Sequence, residues 1–434
     1  MSGITIGIIG VLAGLALIAL RVPIAVSLGL VSFLGIIELT NVRAAWGIIT
    51  AVPFNFIGNW SFTAVPMFLL MGYVCTTSGM TTGLFRAMRV CLSRLPGGLA
   101  IASVGACSMF AAASGSSVAT ASAMARIAVP EMLRHNYNPG LSTGVIAASG
   151  TLGSLIPPSI LMVLYGVYAE VSIGKLFMAG FLPGLLSAVL YVAMIISRVK
   201  FNPELAGEIV ESFSAKEKWE AIREVWALPA LIVFVLGGIF AGFFTPTEAG
   251  AIAVAYSLII GFFVHKELKL KSIPLIIHES VIATSVILLI ICAASAFGYY
   301  LTWERIPIIL AEFMTKLSSN PLAILLVINI FLLILGMFVE GTAALILLTP
   351  ILVPITNSYG IDPVHFGIVF ILNLSIAGAT PPVGTLMFTT CSISNVKIED
   401  YVREGYPFIL ATIFALLCIT YFPIITLFLP NLLM

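Results

Sequence analysis

The chain has 434 residues, of which 60% are hydrophobic and only 9% charged, and its 20 Lys and Arg against 19 Asp and Glu leave a net charge of +1. With a mean hydropathy of +1.15, this composition excludes a soluble globular domain, and the near-neutral balance offers no basic footprint for nucleic acid. Uncharged runs long enough to cross about 30 Å of hydrocarbon recur throughout, so the chain reads as an all-α polytopic membrane protein.

The first run, residues 4–20, has no basic residue ahead of it and leads straight to Arg21, the layout of a retained span rather than a cleaved signal. Further crossings are predicted at 23–39, 62–80, 141–165, 176–197, 226–244, 249–264, 279–300, 364–388 and 407–430, with limits set by flanking charges and prolines. Two apolar stretches remain, 97–130 and 321–356. Each is too long for one ordinary span and is interrupted at its middle, by SGSS (114–117) or EGT (340–342). Folding back there makes two arms of about 16 residues, too short to cross, so both read as re-entrant helical hairpins.

With both termini outside, sixteen Lys and Arg fall on the inner side and only Arg43, Lys175, Arg305 and Lys316 outside. That is the positive-inside bias of a correctly counted topology. The one long charged connection, 200–225, joins two halves. Displacing the chain by 224 residues lays Pro130, Pro139, Pro157, Pro158 and Pro183 on Pro354, Pro363, Pro381, Pro382 and Pro407, and the two hairpins on each other. The crossing with Pro157 runs outward and that with Pro381 inward, so the halves are inverted repeats, as in many secondary transporters. The expected division is N-terminal spans and an interfacial segment (1–60), a first repeat (61–199), the connector (200–225), central scaffold spans (226–278) and a second repeat (279–434). Apolar stripes at Phe85, Met88, Leu92 and Leu95, and at Ile306, Ile309, Leu310, Phe313, Met314 and Leu317, predict an interfacial helix on each side.

SGTLGSLIPPSILM (149–162) and NLSIAGATPPVGTL (373–386) each place small and hydroxyl residues just before a Pro-Pro pair at mid-crossing, Pro157–Pro158 and Pro381–Pro382. Such a break frees carbonyls on one side, which with nearby hydroxyls can ligate Na⁺, and N–H groups on the other, which can hold an anion. Each hairpin tip is expected to meet the break of its own repeat. The plainer reading is a proline kink packed by small residues. Glu340, the only charged side chain between Pro321 and Ile361, is either a functional acid or a cap on the following helix. Arg126 reads as an interfacial anchor rather than a substrate clamp. Six scattered cysteines make no CxxC, and four histidines at membrane edges form no HExxH or Ser/His pairing, which disfavours a disulfide frame, a zinc site or an enzyme.

SMFAAASGSSVATASAMARIAVPEM, ASGTLGSLIPPSILMVLYG, FFTPTEAGAIAVAY and SIAGATPPVGTLMF, in that order, resemble the large membrane subunit of tripartite ATP-independent periplasmic (TRAP) transporters. The resemblance implies Na⁺-coupled import of a small organic anion, usually a carboxylate, across the bacterial inner membrane by an elevator movement. It further implies a periplasmic binding protein that delivers substrate and a small four-span membrane subunit, expected here as a separate chain, with no organic cofactor. Carried over, one Na⁺ site involves Ser114, Gly115, Ser116 and Ser154, and a second Gly341, Thr342, Ala379 and Thr380. Substrate is expected between them, near Ser117, Thr151, Asn373 and Ser375. An autonomous anion symporter of related fold is the alternative. Replacing both Ser116 and Thr342 by bulky apolar residues is expected to abolish Na⁺-coupled uptake with membrane insertion intact, as read by uptake and by yield in reconstituted vesicles.

Overall fold

A computed structural model describes residues 3–20, 22–207 and 213–433. Arg21, counted in the charge bias, and residues 208–212 of the connector lie outside the described residues. Ahead of the connector come α1 (Gly3–Ala19), α2 (Ile24–Leu39), α3 (Val42–Ile57), α4 (Ala64–Thr77), α5 (Leu84–Leu92), α6 (Gly98–Ser114), α7 (Ser117–Arg134), α8 (Pro139–Gly150), α9 (Leu152–Leu155), α10 (Ile160–Tyr168) and α11 (Ile173–Phe201). After it come α12 (Ala215–Glu224), α13 (Ala227–Phe240), α14 (Pro246–Ile259), α15 (Ile273–Trp303), α16 (Ile306–Leu317), α17 (Pro321–Gly336), α18 (Gly341–Ser358), α19 (Pro363–Ala379), α20 (Thr385–Ser394), α21 (Ile398–Tyr421) and α22 (Ile424–Leu433). No strand occurs among the described residues. Six helical segments are long and apolar enough to cross a membrane, and up to nine spans result if each bent pair counts as one; one of the six is α18, an arm of the second hairpin expected to be too short to cross. The protein is a polytopic all-α membrane protein.

Local chemistry explains where the helices start. Asn138, Thr245, Asn320 and Asp362 each cap a helix whose first residue is proline, so the side chain satisfies an orphan N–H while the proline occupies a position that needs none. In the connector, Ser214 and Glu217 close a capping box on α12, and the N–H and hydroxyl of Ser214 hold the Glu217 carboxyl below its usual range. The expected crossing at 407–430 divides. Helix α21 already begins at Ile398 and stops at Tyr421, Phe422 leaves the helical region (φ −121°, ψ 78°), and α22 restarts after Pro423. A residue before proline is pushed out of the α region, which breaks the run in two.

The interruptions in both hairpin stretches are real turns, between α6 and α7 and between α17 and α18. Both predicted broken crossings are interrupted at their proline pairs: α8–α9 meets α10 at a bend of 42°, and α19 gives way to α20. Exchanging the repeats maps neighbours onto neighbours. Helix α8 packs on α21 as α19 packs on α11, α7 on α20 as α18 on α10, and α6 on α8 as α17 on α19. The caps correspond as well, Asn138 with Asp362, and Asn136 and Gly360 both end the preceding arm in the left-handed region.

Three fully buried tyrosines fasten the helices together, two of them across the repeats. Tyr165 of α10 lies edge-on to Phe366 and Phe370 of α19 and donates to the Pro363 carbonyl at 2.7 Å. The Tyr191 hydroxyl of α11 bridges Thr151 (2.8 Å) and Thr412 (2.9 Å), and Tyr401 of α21 donates to Ala379 O at 2.6 Å. Each ring supplies apolar burial and spends its hydroxyl on an acceptor, the condition for placing tyrosine in a membrane core. At one end of this body Arg198 of α11 pairs with the Glu404 carboxylate of α21 and donates to the Glu404 carbonyl at 2.7 Å, with side chains only 19% and 13% exposed. Glu404→Gln is expected to cost about 2 kcal/mol by leaving Arg198 half-buried and uncompensated, and the double variant with Arg198→Gln less than the two single losses combined. Thermal unfolding of the detergent-solubilised protein measures it, and an unchanged midpoint would mean the pair is screened.

Candidate functional site

The first tip is built by a left-handed glycine and a serine cap. Gly115 sits at φ +60°, where a side chain would be strained, and Ser116 turns extended so that its Oγ accepts from Ala119 N at 3.4 Å. Thr120 Oγ1 donates to Ser116 O at 2.8 Å and shares a hydrogen bond with Ser114 Oγ at 2.9 Å. This tip is stitched to the break of its own repeat: Gly115 O accepts from Ile160 N at 3.1 Å, two residues past Pro158. On the other side of the break the contact depends on a missing Cβ. A methyl on Gly153 would lie 2.6 Å from Ser116 O and 2.8 Å from Ser117 N. Because Pro157 and Pro158 carry no N–H, the carbonyls of Gly153 and Ser154 lose their helical donors at this point. Ser154 Oγ donates to Thr151 O at 2.7 Å and shares a short hydrogen bond with Ser375 Oγ of the second repeat.

In the second repeat the cap is charged. Glu340 accepts from Ala343 N at 3.0 Å and from Thr342 Oγ1 at 2.9 Å, so the carboxylate caps α18 while remaining exposed to the cavity described below. The tip meets its own break more loosely, through Gly341 over Leu374 and Gly336 over Ala377. Pro381 and Pro382 withdraw donors from Ala377 O and Gly378 O, and Thr380 N returns to Ala377 O at 3.1 Å. Gly378 O and Thr380 O then converge beside Gly384, 2.7 and 2.6 Å from where its Cβ would stand. That is a cradle of oxygens which any larger residue would fill. Ala379 O is already engaged by Tyr401.

Both tips open onto one cavity of about 890 Å³, within the range of small-molecule sites. Its walls bring together Ser114, Gly115, Ser116 and Ser117 from the first tip, Glu340, Gly341 and Thr342 from the second, and Ser375 from α19. The opposite wall belongs to α4, α15 and the turn at 81–83. Thr151, Ser154, Asn373, Ala379 and Thr380 stand behind the wall. Thr151 is held by Tyr191, and Asn373 Nδ2 donates to Asn329 Oδ1 (3.0 Å) and O (3.1 Å), leaving its buried Oδ1 without a partner. The proline pairs are cis and shape the breaks from outside the cavity. Arg126, expected as an interfacial anchor, lies in the cavity wall. Asn329 was not anticipated, although it is the one polar side chain in the apolar run of α17, which is the signal that marks it. Among the described residues no three His, Cys, Asp or Glu side chains converge on a metal position, and the oxygens gathered at the tips and breaks are carbonyls and hydroxyls.

Two hairpins, two broken helices and one shared cavity define a transporter of the inverted-repeat class. A sequence model of the family described as tripartite ATP-independent periplasmic transporter, DctM component, matches residues 11–425, and the chain belongs to that family. It is 40% identical over 375 residues to the C4-dicarboxylate TRAP transporter large permease protein DctM of Pseudomonas aeruginosa, covering 86% of this chain and 87% of that one. It is 38% identical over 410 residues to the isethionate TRAP transporter permease protein DctMQ of Oleidesulfovibrio alaskensis, covering 94% of this chain and 64% of that one, and 35% identical over 376 residues to the sialic acid TRAP transporter large permease protein SiaM of Vibrio cholerae, covering 87% of this chain and 87% of that one. These relatives are named as transporter permeases, not enzymes. The crystal structure of the Alcanivorax borkumensis YdaH transporter shares the fold, with a TM-score of 0.63 at 13% identity over 88% of this chain and 89% of that one.

Gly153→Ala is expected to push the first tip off its break and to abolish transport without loss of insertion, whereas Gly237→Ala, with nothing within 4 Å of the added methyl, is expected to be silent. Uptake normalised to the amount of reconstituted protein separates the two.

Proposed function

We propose that the protein imports a small organic anion together with Na⁺ across the bacterial inner membrane, as the large membrane component of a tripartite transporter. The observation that carries this reading is that tip hydroxyls line one cavity while donor-stripped carbonyls gather at and just behind its wall. Uncharged oxygen donors suit an alkali cation. One Na⁺ would be held by Ser114, Gly115, Ser116 and Ser154, and a second by Gly341, Thr342 and Thr380, with the Gly378 carbonyl replacing that of Ala379, which Tyr401 occupies. The anion would lie between them against Ser117 and Ser375, while Thr151 and Asn373 brace the wall from behind. A bound cation beside each tip lowers the energy of an anion in the cavity, and that mutual preference is the coupling.

An elevator movement is supported by how the walls divide. Tips, breaks and buried tyrosines are cross-linked to one another, and α4 and α15 face them across the cavity, meeting them through Phe68 against Phe177 and Tyr168 on Ile291 O. With both termini outside, the turn at 81–83 lies inside, so the cavity faces the cytoplasm. Relatives carry names for C4-dicarboxylates, isethionate, sialic acid and 2,3-diketo-L-gulonate, all small organic anions. A periplasmic binding protein would deliver the anion, and a small four-span subunit would complete the frame.

The test is uptake by liposomes containing this chain and its small subunit, using a labelled organic-acid panel with and without an inward Na⁺ gradient and the cognate binding protein. Accumulation is expected only when gradient and binding protein are both present. Accumulation with Na⁺ alone would make the chain an autonomous symporter, and non-saturating flux without coupling would make it a channel.

A further inference from the structure

Only two charged side chains line the cavity among the described residues, Glu340 and Arg126. Glu340 is occupied as a cap. Arg126 is exposed to the cavity and makes no ion pair or hydrogen bond among the described residues. It stands nine positions along α7 from Ser117 and eight positions before Arg134, the cation at the other end of that arm. An unpaired guanidinium midway along a hairpin arm, facing a largely apolar chamber, is not positioned as an interfacial anchor. Its counterpart under the 224-residue repeat is Pro350, so the symmetry of the fold does not call for it.

The surroundings state what would satisfy it. The cavity stripe of α7 runs through Val118, Ser122 and Arg126, spaced by four. Ser122 turns its hydroxyl hydrogen inward to Val118 O at 2.7 Å and leaves its lone pairs outward. At the head of the stripe, α7 is capped by a neutral serine, whereas α18 across the cavity is capped by a carboxylate, so the uncompensated positive helix end belongs to the first tip. Ser117 Oγ at that end is buried and has no hydrogen-bond partner. Nine residues of α-helix span about 13 Å, and an arginine side chain leans back toward the helix N-terminus, which shortens the gap to the length of a small organic acid.

We infer that Arg126 is the substrate-recognition cation: it pairs with a terminal carboxylate or sulfonate of an elongated organic acid whose other end lies at Ser117 and the first hairpin tip. Guanidinium matches both oxyanions with two parallel hydrogen bonds, which is the geometric basis for choosing an acid over an equally sized neutral molecule. The inference rests on the anion-transport reading above and adds to it the residue that reads the charge.

The experiment uses the detergent-solubilised complex of this chain with its small subunit and follows thermal stabilisation by Na⁺ alone, then in Na⁺ by titrated succinate, isethionate and uncharged butane-1,4-diol. In the wild type, succinate or isethionate is expected to stabilise and the diol not; which acid acts separates a carboxylate from a sulfonate preference. Arg126→Gln is expected to raise the half-saturating concentration of that acid by about tenfold or more, and Arg126→Lys by clearly less, with the response to Na⁺ alone unchanged in both. An unaltered acid titration in Arg126→Gln overturns the inference and leaves the transporter reading intact. A loss of the Na⁺ response in the same variant overturns it too, by making Arg126 structural. A wild type that responds to Na⁺ but equally to diol and acids removes charge recognition, and one that responds to neither Na⁺ nor any acid removes the underlying reading as well.

Discussion

The structure depends on one constraint: two proline pairs remove backbone donors at the middle of membrane-crossing helices, and the carbonyls so exposed have no water to turn to in lipid. Protein must therefore cover each break. The hairpins do so because each turns back beside the break of its own repeat. In the first repeat the cover is direct, with Gly115 O bonded to Ile160 N and the Ser116 backbone resting on Gly153. Tip and break then form one surface rich in oxygen, and the cavity is the space that this surface leaves open.

Twofold pseudo-symmetry sets the fold but not its chemistry. Corresponding positions hold Ser116 and Glu340, Ser154 and Gly378, Arg126 and Pro350, Asn138 and Asp362. The last pair does the same capping job. The others differ in charge or in donor capacity, and Ser116, Glu340, Gly378 and Arg126 among them line the cavity. A neutral cap opposite a charged one makes the two ends of the chamber electrically unlike.

The surface made by tips and breaks keeps its shape only if the helices behind it are held in register. Buried tyrosine hydroxyls serve that end: Tyr191 and Tyr401 bond to Thr151 and to Ala379 O beside the breaks, and Tyr165 and Tyr191 bond across the repeats, to Pro363 O and Thr412. Asn373, Asn329 and Thr420 extend the same polar thread through α19, α17 and α21. Polar groups in hydrocarbon surroundings are tolerable only when satisfied, and here their satisfaction doubles as cross-linking.

Much of this was legible in the chain itself. Hydropathy located the spans, proline spacing revealed the repeat, and SGSS and EGT marked the tips, because each of these signals is local: a run length, a missing N–H, a flexible turn. The division of α21 from α22 was also local, written in Phe422–Pro423, but the apolar run across it hid the break. What only the tertiary structure decided is which oxygens meet. That Gly378 O rather than Ala379 O is free follows from where Tyr401, 22 residues on, directs its hydroxyl, and that Arg126 belongs to the cavity follows from α4 and α15 packing across from α7. Sequence records the donors and acceptors a residue carries, whereas their pairing depends on distances between segments far apart in the chain, and folding alone sets those.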